Sequence, residues 1–301
     1  MIELFGQNIR TNRRQSSKGN QLKWENDGIW YKADYTGYEG LAEYMISHLL
    51  KKSTLAEQEF VYYDLEEIKY GTVIYNGAKS KNFLNEDWQI ITLERLFHNF
   101  FGESLYKSMY RIPDHEERLR FLVQQVERMT GLQNFGVYMN KLLTIDAFFL
   151  NEDRHMHNIA VLMNGKGDYA YCPIFDNGAG LLADTTMDYP LTQNIYILMD
   201  NVRSKTICSA FDEQLDISES LYKINLKKGD SVIGFTNIIY CNNKNKTLPV
   251  GMDFSNKVMI ELTKFEKKFK KSDTFHIAKF EDENNDFSKL IIKDVIVYEE
   301  K

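Results

Sequence analysis

The sequence predicts an α+β protein of two lobes, a small antiparallel β lobe followed by a helix-rich lobe. Two observations lead to this prediction. Short apolar runs separated by turn residues occupy much of the chain up to residue 91, a pattern typical of β-hairpins. From Thr92 to Leu150, apolar residues recur mainly at the spacing of helices. The two lobes are therefore predicted to span residues 1–91 and 92–301.

The composition sets limits on the class of protein. The chain has 301 residues, of which 43% are hydrophobic, enough for a sizeable core. Its net charge of −6 argues against nucleic acid as a direct partner. No apolar run approaches the roughly 18 residues needed to cross a bilayer, and no signal peptide is evident. We therefore expect a cytoplasmic protein without a transmembrane segment, an expectation that leaves secretion as an effector open. Three widely spaced cysteines are expected to be reduced thiols, namely Cys172, Cys208 and Cys241.

The first predicted element is a β-hairpin. Its strands are residues 21–25 and 29–34, joined by Asn26-Asp27-Gly28, which favours a tight turn. The preceding Ser17-Lys18-Gly19 contains a glycine and could bring backbone N–H groups to phosphate oxygens. Taken alone, that run is more typical of a surface turn, because it lacks the G-x-G-x-x-G pattern. Lys32, on the second strand, is a candidate for contacting the phosphates of a nucleotide.

A helix over residues 38–50 is predicted next. Its apolar residues recur at helical spacing and comprise Leu41, Ala42, Met45, Ile46, Leu49 and Leu50. Lys32 shares a strand face with Trp30, so it is expected to be partly buried and to need a carboxylate partner. Glu39 and Glu43 lie one turn apart on this helix. Either could be that partner, and both could also face solvent.

Residues 60–65 and 72–75 are predicted strands of the same sheet. The segment 76–91 is predicted to cross to the second lobe, where Phe83 or Trp88 could border a nucleotide or simply belong to a core. The second lobe is predicted to contain helices over residues 92–106, 114–129 and 135–150, the last of them buried.

The most informative stretch, residues 151–158, is polar and directly follows the buried helix. It contains Asp153 and Asn158. Two short apolar runs then flank a turn near Asn164, a pattern that predicts a hairpin and brings Asp176 next to Asn158. A carboxylate such as Asp153 can orient a hydroxyl and take its proton, whereas amide and carboxylate oxygens are suitable Mg²⁺ ligands. The spacing therefore indicates a phosphoryl-transfer site.

Simpler interpretations exist for the same residues. An ordinary solvated loop would explain the polar stretch alone, since Asp, Asn and Glu are common in turns. Arg154 is suited to pairing with a carboxylate inside this loop. His155 and His157 with Cys172 could form a zinc cluster, although their spacing is not typical of one. The added hairpin and second acid favour the phosphoryl-transfer site.

The pattern N-x-D-R-H-x-x-N at residues 151–158, followed by I-F-D-N-G at 174–178, resembles the catalytic and metal-binding loops of HipA-like serine/threonine protein kinases. It is similar, more distantly, to phosphatidylinositol 3/4-kinases, which also carry D-R-H-x-x-N. The resemblance implies a two-lobed protein-kinase-like fold. It implies catalytic residues Asp153, Arg154 and His155, and magnesium ligands Asn158 and Asp176. It also implies an ATP-binding set consisting of Ser17, Lys18, Gly19, Lys32 and Glu43, and it favours Glu43 over Glu39 as the partner of Lys32.

On this basis we expect an ATP- and Mg²⁺-dependent kinase that phosphorylates Ser or Thr hydroxyls of a protein substrate. One alternative is a phosphatidylinositol-type lipid kinase, which a lysine-rich predicted helix over residues 257–271 would also suit. Another is an inactive, nucleotide-binding kinase-like module. The resemblance further implies a growth-arresting toxin with a DNA-binding antitoxin protein as its partner. The chain is short for the larger members of the family, and we expect no further N-terminal domain.

Three further stretches complete the sequence-based expectations. Ser16 and Ser17 are candidate autophosphorylation sites because they lie in the predicted phosphate loop. Residues 179–190, which follow Gly178 and contain Gly180 and several hydroxyl side chains, suit a mobile loop beside the metal site. Residues 290–298 are predicted to form a strand.

Overall fold

The structure is a computed structural model that describes residues 1–6, 21–53 and 55–222, together with the backbone of two strands at 276–281 and 291–297. The chain divides into two compact units. The first comprises Met1–Lys51 with Leu55–Lys223, and the second comprises Lys52–Thr54 with Ile224–Lys301. The first unit contains every site residue discussed below. The candidate autophosphorylation sites, the predicted phosphate loop and the lysine-rich helix lie outside the described residues.

The first unit begins with a five-stranded sheet in the order β1-β4-β5-β3-β2. Its strands are β1 (Ile2–Leu4), β2 (Lys23–Asn26), β3 (Ile29–Ala33), β4 (Asp64–Tyr70) and β5 (Val73–Lys81). The predicted hairpin is present as β2 and β3, and its turn residues Asp27 and Gly28 have φ values of 52° and 74°. These positive values explain the Asp-Gly sequence, because both types of residue tolerate the left-handed conformation.

Two features of the sheet differ from the prediction. β1 pairs in parallel with β4, whereas all other pairs are antiparallel. No local pattern predicts a parallel pairing, because it joins strands separated by a long stretch of chain. In place of the strands predicted at 60–65 and 72–75, the structure has β4 and β5, which begin and end later in the chain. β5 therefore includes residues 76–81, which were predicted to begin the crossing to the second lobe.

Helix α1 (Glu39–Leu50) packs against this sheet and buries Ala42, Glu43, Ile46 and Leu50. Leu41 and Met45, which the apolar pattern assigned to the buried face, are instead 44% and 36% exposed. The other face of the sheet holds a core of Leu4, Trp24, Tyr31, Ala33 and Ile68. Because successive strand residues point to opposite faces, Lys32 lies on the α1 side, away from Tyr31 and Ala33.

The chain crosses to the helical lobe through residues 82–87 and enters β6 (Trp88–Thr92). This strand forms a small antiparallel sheet with β7 (Ala160–Asn164) and β8 (Tyr169–Tyr171), in the order β6-β7-β8. The predicted hairpin at 158–175 is therefore present. Trp88 belongs to this second sheet, whereas Phe83 packs near Val61 and Tyr63 of the β lobe.

Six further helices are described, namely α2 (Leu93–Phe101), α3 (Leu105–Tyr110), α4 (His115–Thr130), α5 (Phe135–Phe149), α6 (Ile195–Asn201) and α7 (Phe211–Leu221). The side chains of Thr92, Ser104 and Asp114 cap the N-termini of α2, α3 and α4, and each accepts a backbone N–H. Gly102 and Gly131 end α2 and α4 in the left-handed conformation. The predicted burial of α5 is observed over most of its length.

The α+β class and its two lobes are thus confirmed, whereas the boundary between residues 91 and 92 stays a prediction. In the second unit, β9 (His276–Glu281) and β10 (Ile291–Val297) form an antiparallel pair, and β10 lies within the predicted strand at 290–298. None of the helices in the described part of the chain has the length and apolar character needed to cross a membrane.

The close approach of β5 to β3 predicts an effect of Gly77→Ala. A Cβ at this position would lie 2.1 Å from the backbone oxygen of Lys32, so the strand carrying Lys32 must move. We expect a loss of about 1–3 kcal/mol in the free energy of unfolding, measured by urea denaturation. Gly165→Ala is the matched control, because a Cβ there meets nothing within 4 Å. Equal stability of the two variants would contradict the prediction.

Candidate active site

The site is built around Lys32, whose ammonium group lies between two carboxylates. Its Nζ is 2.7 Å from Glu43 Oε1 and 2.7 Å from Asp176 Oδ1, and it also donates to the hydroxyl of Tyr63 at 3.4 Å. Burial alone would lower the pKa of Lys32, but the charges of Asp176 and Glu43 outweigh it and hold this pKa well above its ordinary value. The lysine is therefore charged and fixed in place by β3, α1 and the loop after β8.

Glu43, and not Glu39, pairs with Lys32. Glu39 lies at the first residue of α1, where its carboxylate accepts the backbone N–H groups of Tyr35, Thr36 and Gly37 at 3.2, 2.7 and 3.2 Å. It therefore holds the loop that enters the helix. Glu43, one turn later, is 1% exposed and points toward the sheet.

The second oxygen of Glu43 reaches the loop that contains Asp176. Glu43 Oε2 accepts the backbone N–H of Asn177 at 3.0 Å. Asp176 itself has a φ of 61°, an uncommon conformation for a residue other than glycine. One buried carboxylate thus connects the ammonium group of β3 to the backbone of the I-F-D-N-G loop.

Asp176 has a second cationic neighbour, Lys23 of β2. Lys23 Nζ is 4.0 Å from Asp176 Oδ2, and Lys23 is directly opposite Lys32 in the register of the hairpin. Burial would raise the pKa of Asp176, but Lys23 and Lys32, with a smaller contribution from Arg154, hold it well below its ordinary value. The carboxylate is therefore ionised throughout the neutral range.

Arg154 is enclosed in the protein and holds the two loops together. Its guanidinium makes three contacts of 2.9–3.1 Å with the carboxylate of Asp146 on α5. One nitrogen, Nη1, donates to the backbone oxygens of Asn158 and Phe175 at 3.1 and 2.6 Å. The backbones on either side of the β7–β8 hairpin therefore meet at a single guanidinium, as the hairpin predicted.

This burial corrects one predicted role. Arg154 was expected to be catalytic, but its side chain is 1% exposed and that of Asp146 is fully buried. It is not placed to contact a substrate. The alternative interpretation, a structural pairing with a carboxylate, agrees with the structure.

Asp153 lies at the edge of the site with 11% of its side chain exposed. Its Oδ1 is 3.4 Å from Lys205 Nζ and 3.8 Å from His155 Nε2. The Asn158 side chain donates from Nδ2 to the backbone oxygen of Asp153 at 2.9 Å, which leaves the amide oxygen of Asn158 available as a ligand. Asp153 and Asn158 are thus joined directly.

His155 lines a cavity of about 370 Å³ beside the loop at residues 151–158. Tyr106, Tyr110, His157 and Lys205 also line this cavity. Burial lowers the pKa of His155 below its ordinary value, with the charge of Asp153 opposing this effect. The imidazole is therefore neutral at pH 7, so His155 offers the cavity a neutral polar group.

The structure thus brings together Lys32, Glu43, Asp176, Asp153 and Asn158. Ser17, Lys18 and Gly19 lie outside the described residues. Within the described part of the chain, His155, His157 and Cys172 do not form a group of potential metal ligands.

Three residues of the site were missed by the sequence analysis, namely Lys23, Asp146 and Lys205. A signal existed for Asp146, which is an acid among apolar residues near the end of the helix that directly precedes residues 151–158. A signal also existed for Lys23, because the register of the predicted hairpin sets it opposite Lys32. Lys205 lies between Ser204 and Thr206, and the sequence alone contains no signal for it.

Comparisons with known proteins give a distant match. No protein-family model matches the sequence, and no curated protein matches it. Among solved structures, the chain is similar to the crystal structure of a Helicobacter pylori proinflammatory kinase, CtkA, with a TM-score of 0.46 and 16% sequence identity. The match covers 68% of this chain and 72% of that chain. A likeness of this degree assigns neither an activity nor a substrate.

The buried ion pair predicts a large effect of Asp146→Asn. The substitution leaves the charge of Arg154 buried without its counter-ion, so we expect a loss of about 3–5 kcal/mol in the free energy of unfolding. Replacing both partners by apolar residues, as in Asp146→Leu with Arg154→Met, should restore part of this loss. Urea denaturation gives the free energy of unfolding of the wild type, of Asp146→Asn and of the double variant.

A matched control is Arg120→Met, because Arg120 pairs with Glu116 on the exposed surface of α4. We expect little change in stability for this variant. If Asp146→Asn proved as stable as Arg120→Met, the assignment of Arg154 as the residue that holds the two loops would be wrong.

Proposed function

We propose that the protein is an ATP- and Mg²⁺-dependent kinase of the HipA-like type that transfers the γ-phosphate to Ser or Thr hydroxyls of a protein. The observation that carries this proposal is the shared position of Lys32 between Glu43 and Asp176. A lysine on a strand, a helix glutamate and a metal-binding aspartate form the arrangement that kinases use to hold nucleotide phosphates.

The donor set fits a magnesium ion. Asp176 offers an ionised carboxylate, and Asn158 offers the amide oxygen left available by its Nδ2 bond. Both are hard oxygen ligands of the kind that Mg²⁺ prefers. When bound, the ion would supply positive charge that offsets the charge on the phosphate oxygens. Lys32 would contact the α- and β-phosphates, and Glu43 would keep it in position.

Asp153 would act on the substrate hydroxyl. Its carboxylate accepts the hydroxyl proton as the hydroxyl oxygen bonds to the γ-phosphorus and the bond to the β-phosphate oxygen breaks. His155 and Lys205, which line the cavity, lie 3.8 and 3.4 Å from its carboxylate, and this neighbourhood supports the role. Arg154 and Asp146 position the loop and take no part in proton transfer.

The lipid-kinase alternative has support only from the sequence, since the lysine-rich stretch lies outside the described residues. The toxin role and the antitoxin partner likewise stay predictions from the resemblance. The inactive-module alternative conflicts with the simultaneous presence of Asp153, Asp176 and Lys32 in one site.

The test is transfer of labelled γ-phosphate from ATP in the presence of Mg²⁺. Acceptors are the protein itself, a generic protein and vesicles containing inositol lipid. We expect protein labelling by the wild type, and a loss of about 10²–10⁴ in rate for Asp153→Ala. Asp176→Ala should lose labelling as well, because it removes a proposed metal ligand.

The control is Asp200→Ala, an exposed aspartate on α6 that should retain full activity. Labelling of vesicles alone would move the assignment to lipid kinases. Binding of ATP without transfer to any acceptor would indicate the inactive module and contradict the proposal.

Lys23 is expected to be a second phosphate contact. It shares a sheet face with Lys32 and approaches the other oxygen of Asp176, so both ammonium groups border the same space. Lys23→Met should lower kcat/KM for ATP by about tenfold, the size of one contact to a charged group. Lys69→Met is the control, because Lys69 belongs to the same sheet but pairs with Glu3 at 2.9 Å. An unchanged kcat/KM in Lys23→Met would show that Lys23 interacts with Asp176 alone and does not contact a phosphate.

A further inference from the structure

Three potential metal ligands of different types converge outside the kinase-like site. His115 is the first residue of α4, Glu213 lies in the first turn of α7, and Cys208 lies in the segment between α6 and α7. Their ligating atoms all lie within 4.8 Å of one another. In the described part of the chain, no other group of three such residues meets this distance.

The chemistry of the group favours zinc among divalent metals. An imidazole nitrogen, a thiolate sulfur and a carboxylate oxygen are the three ligand types that Zn²⁺ accepts in proteins, whereas Mg²⁺ and Ca²⁺ prefer oxygen alone. A thiolate and a carboxylate together carry the two negative charges that balance Zn²⁺. Three protein ligands would leave a fourth position for water.

Access and rigidity also suit a metal site. The side chains of His115 and Glu213 are 33% and 50% exposed, so an ion can enter from solvent. Cys208 is buried, and its thiol donates to the backbone oxygen of Ala210 at 3.3 Å. His115 Nδ1 lies 2.5 Å from Glu213 Oε1, so the two groups already face each other, and this hydrogen bond opens when both atoms bind one ion.

Two other features of the cluster bear on this interpretation. Burial raises the pKa of the Cys208 thiol to about 11, so a role as a free nucleophile at neutral pH is disfavoured. The nearby cation Arg118 is engaged by the backbone oxygens of Ile112 and Ile207 and by the ring of Tyr110. The positive charge of Arg118 repels a bound metal ion. The negative charges of the Cys208 thiolate and the Glu213 carboxylate offset this repulsion.

The segment that carries Cys208 also contacts the catalytic loop. Thr206 Oγ1 donates to the backbone oxygen of Arg154 at 2.7 Å, and Lys205 Nζ lies 3.4 Å from Asp153 Oδ1. A metal on Cys208 would fix this segment to the start of α4 and α7. We propose that His115, Cys208 and Glu213 bind Zn²⁺, and that the bound ion holds residues 202–210 against the catalytic loop.

The test is zinc binding by the full, metal-free chain in the absence of ATP. Titration against a chromophoric zinc chelator should give one tightly bound zinc for the wild type. Co²⁺ added in place of zinc should give a thiolate-to-metal charge-transfer band. Cys208→Ser should abolish the band and weaken zinc binding by more than about 100-fold, since even changes behind the direct ligands cost about 10–100-fold.

Cys172→Ala is the matched control, because Cys172 is a buried thiol outside the cluster and should leave the band and the affinity unchanged. If Cys208→Ser fails to fold, His115→Ala and Glu213→Gln replace it, since both side chains are partly exposed. Absence of a stoichiometric zinc or of the cobalt–thiolate band in the wild type would overturn the proposal.

Hydrogen exchange measures the second part of the proposal. Zinc should slow amide exchange in residues 203–209 and leave the β7–β8 hairpin unchanged. Tight zinc binding with equal exchange in both states would overturn the proposed link to the catalytic loop. These measurements do not depend on phosphate transfer, so failure of the kinase assay and failure of zinc binding can be told apart.

Discussion

The buried contact between Arg154 and Asp146 is the constraint on which the candidate site depends. It fixes the guanidinium against α5, and the remaining N–H groups then bind the backbones at Asn158 and Phe175 and the side chain of Asn177. Buried ion pairs add little net stability compared with apolar residues, but they are costly to break. The pair is therefore better understood as fixing one arrangement of the two loops. Asp153 and Asp176 flank these bound segments. The position of one carboxylate relative to the other is therefore fixed by Arg154, which is not placed to touch a substrate.

The ion pairs of Lys32 and Lys23 with Glu43 and Asp176 connect these loops to the β lobe. Two lysines and two carboxylates meet there, so the group is balanced in charge without a nucleotide. Incoming phosphates would compete with Asp176 for Lys23 and Lys32, and Asp176 would then be free to serve a cation instead. Glu43 has no such exchange, because its second oxygen holds the Asn177 backbone. Under the proposed function, Glu43 would therefore keep its contacts, and the contacts of Asp176 would be the ones that change on nucleotide binding.

Local spacing explains which parts could be predicted from the sequence. Asp153, Asn158 and Asp176 fall within one loop and one hairpin. The spacing of the apolar residues and the turn residues between them were therefore enough to group the three. Glu39 and Glu43 lie one turn apart on α1, so their spacing alone does not show which of them pairs with Lys32. The backbone of residues 35–37 decides it, because its N–H groups donate to Glu39. Lys205 reaches Asp153 across 52 residues, and such a long-range contact leaves no periodic signal. The parallel pairing of β1 with β4 was missed for the same reason.

The environment of Asp153 sets a condition on any acceptor. Lys205 approaches its carboxylate, yet the lysine side chain is 42% exposed, so this ion pair is screened by water and weak. The pair of Lys32 with Glu43, at 12% and 2% exposure, has no such screening. Under the proposed function, an acceptor hydroxyl entering the cavity of Tyr106 and Tyr110 would displace Lys205 from Asp153 more easily than it would disturb the pair of Lys32 with Glu43. On that proposal, the difference in burial would separate a replaceable contact on the acceptor side from a fixed contact on the nucleotide side.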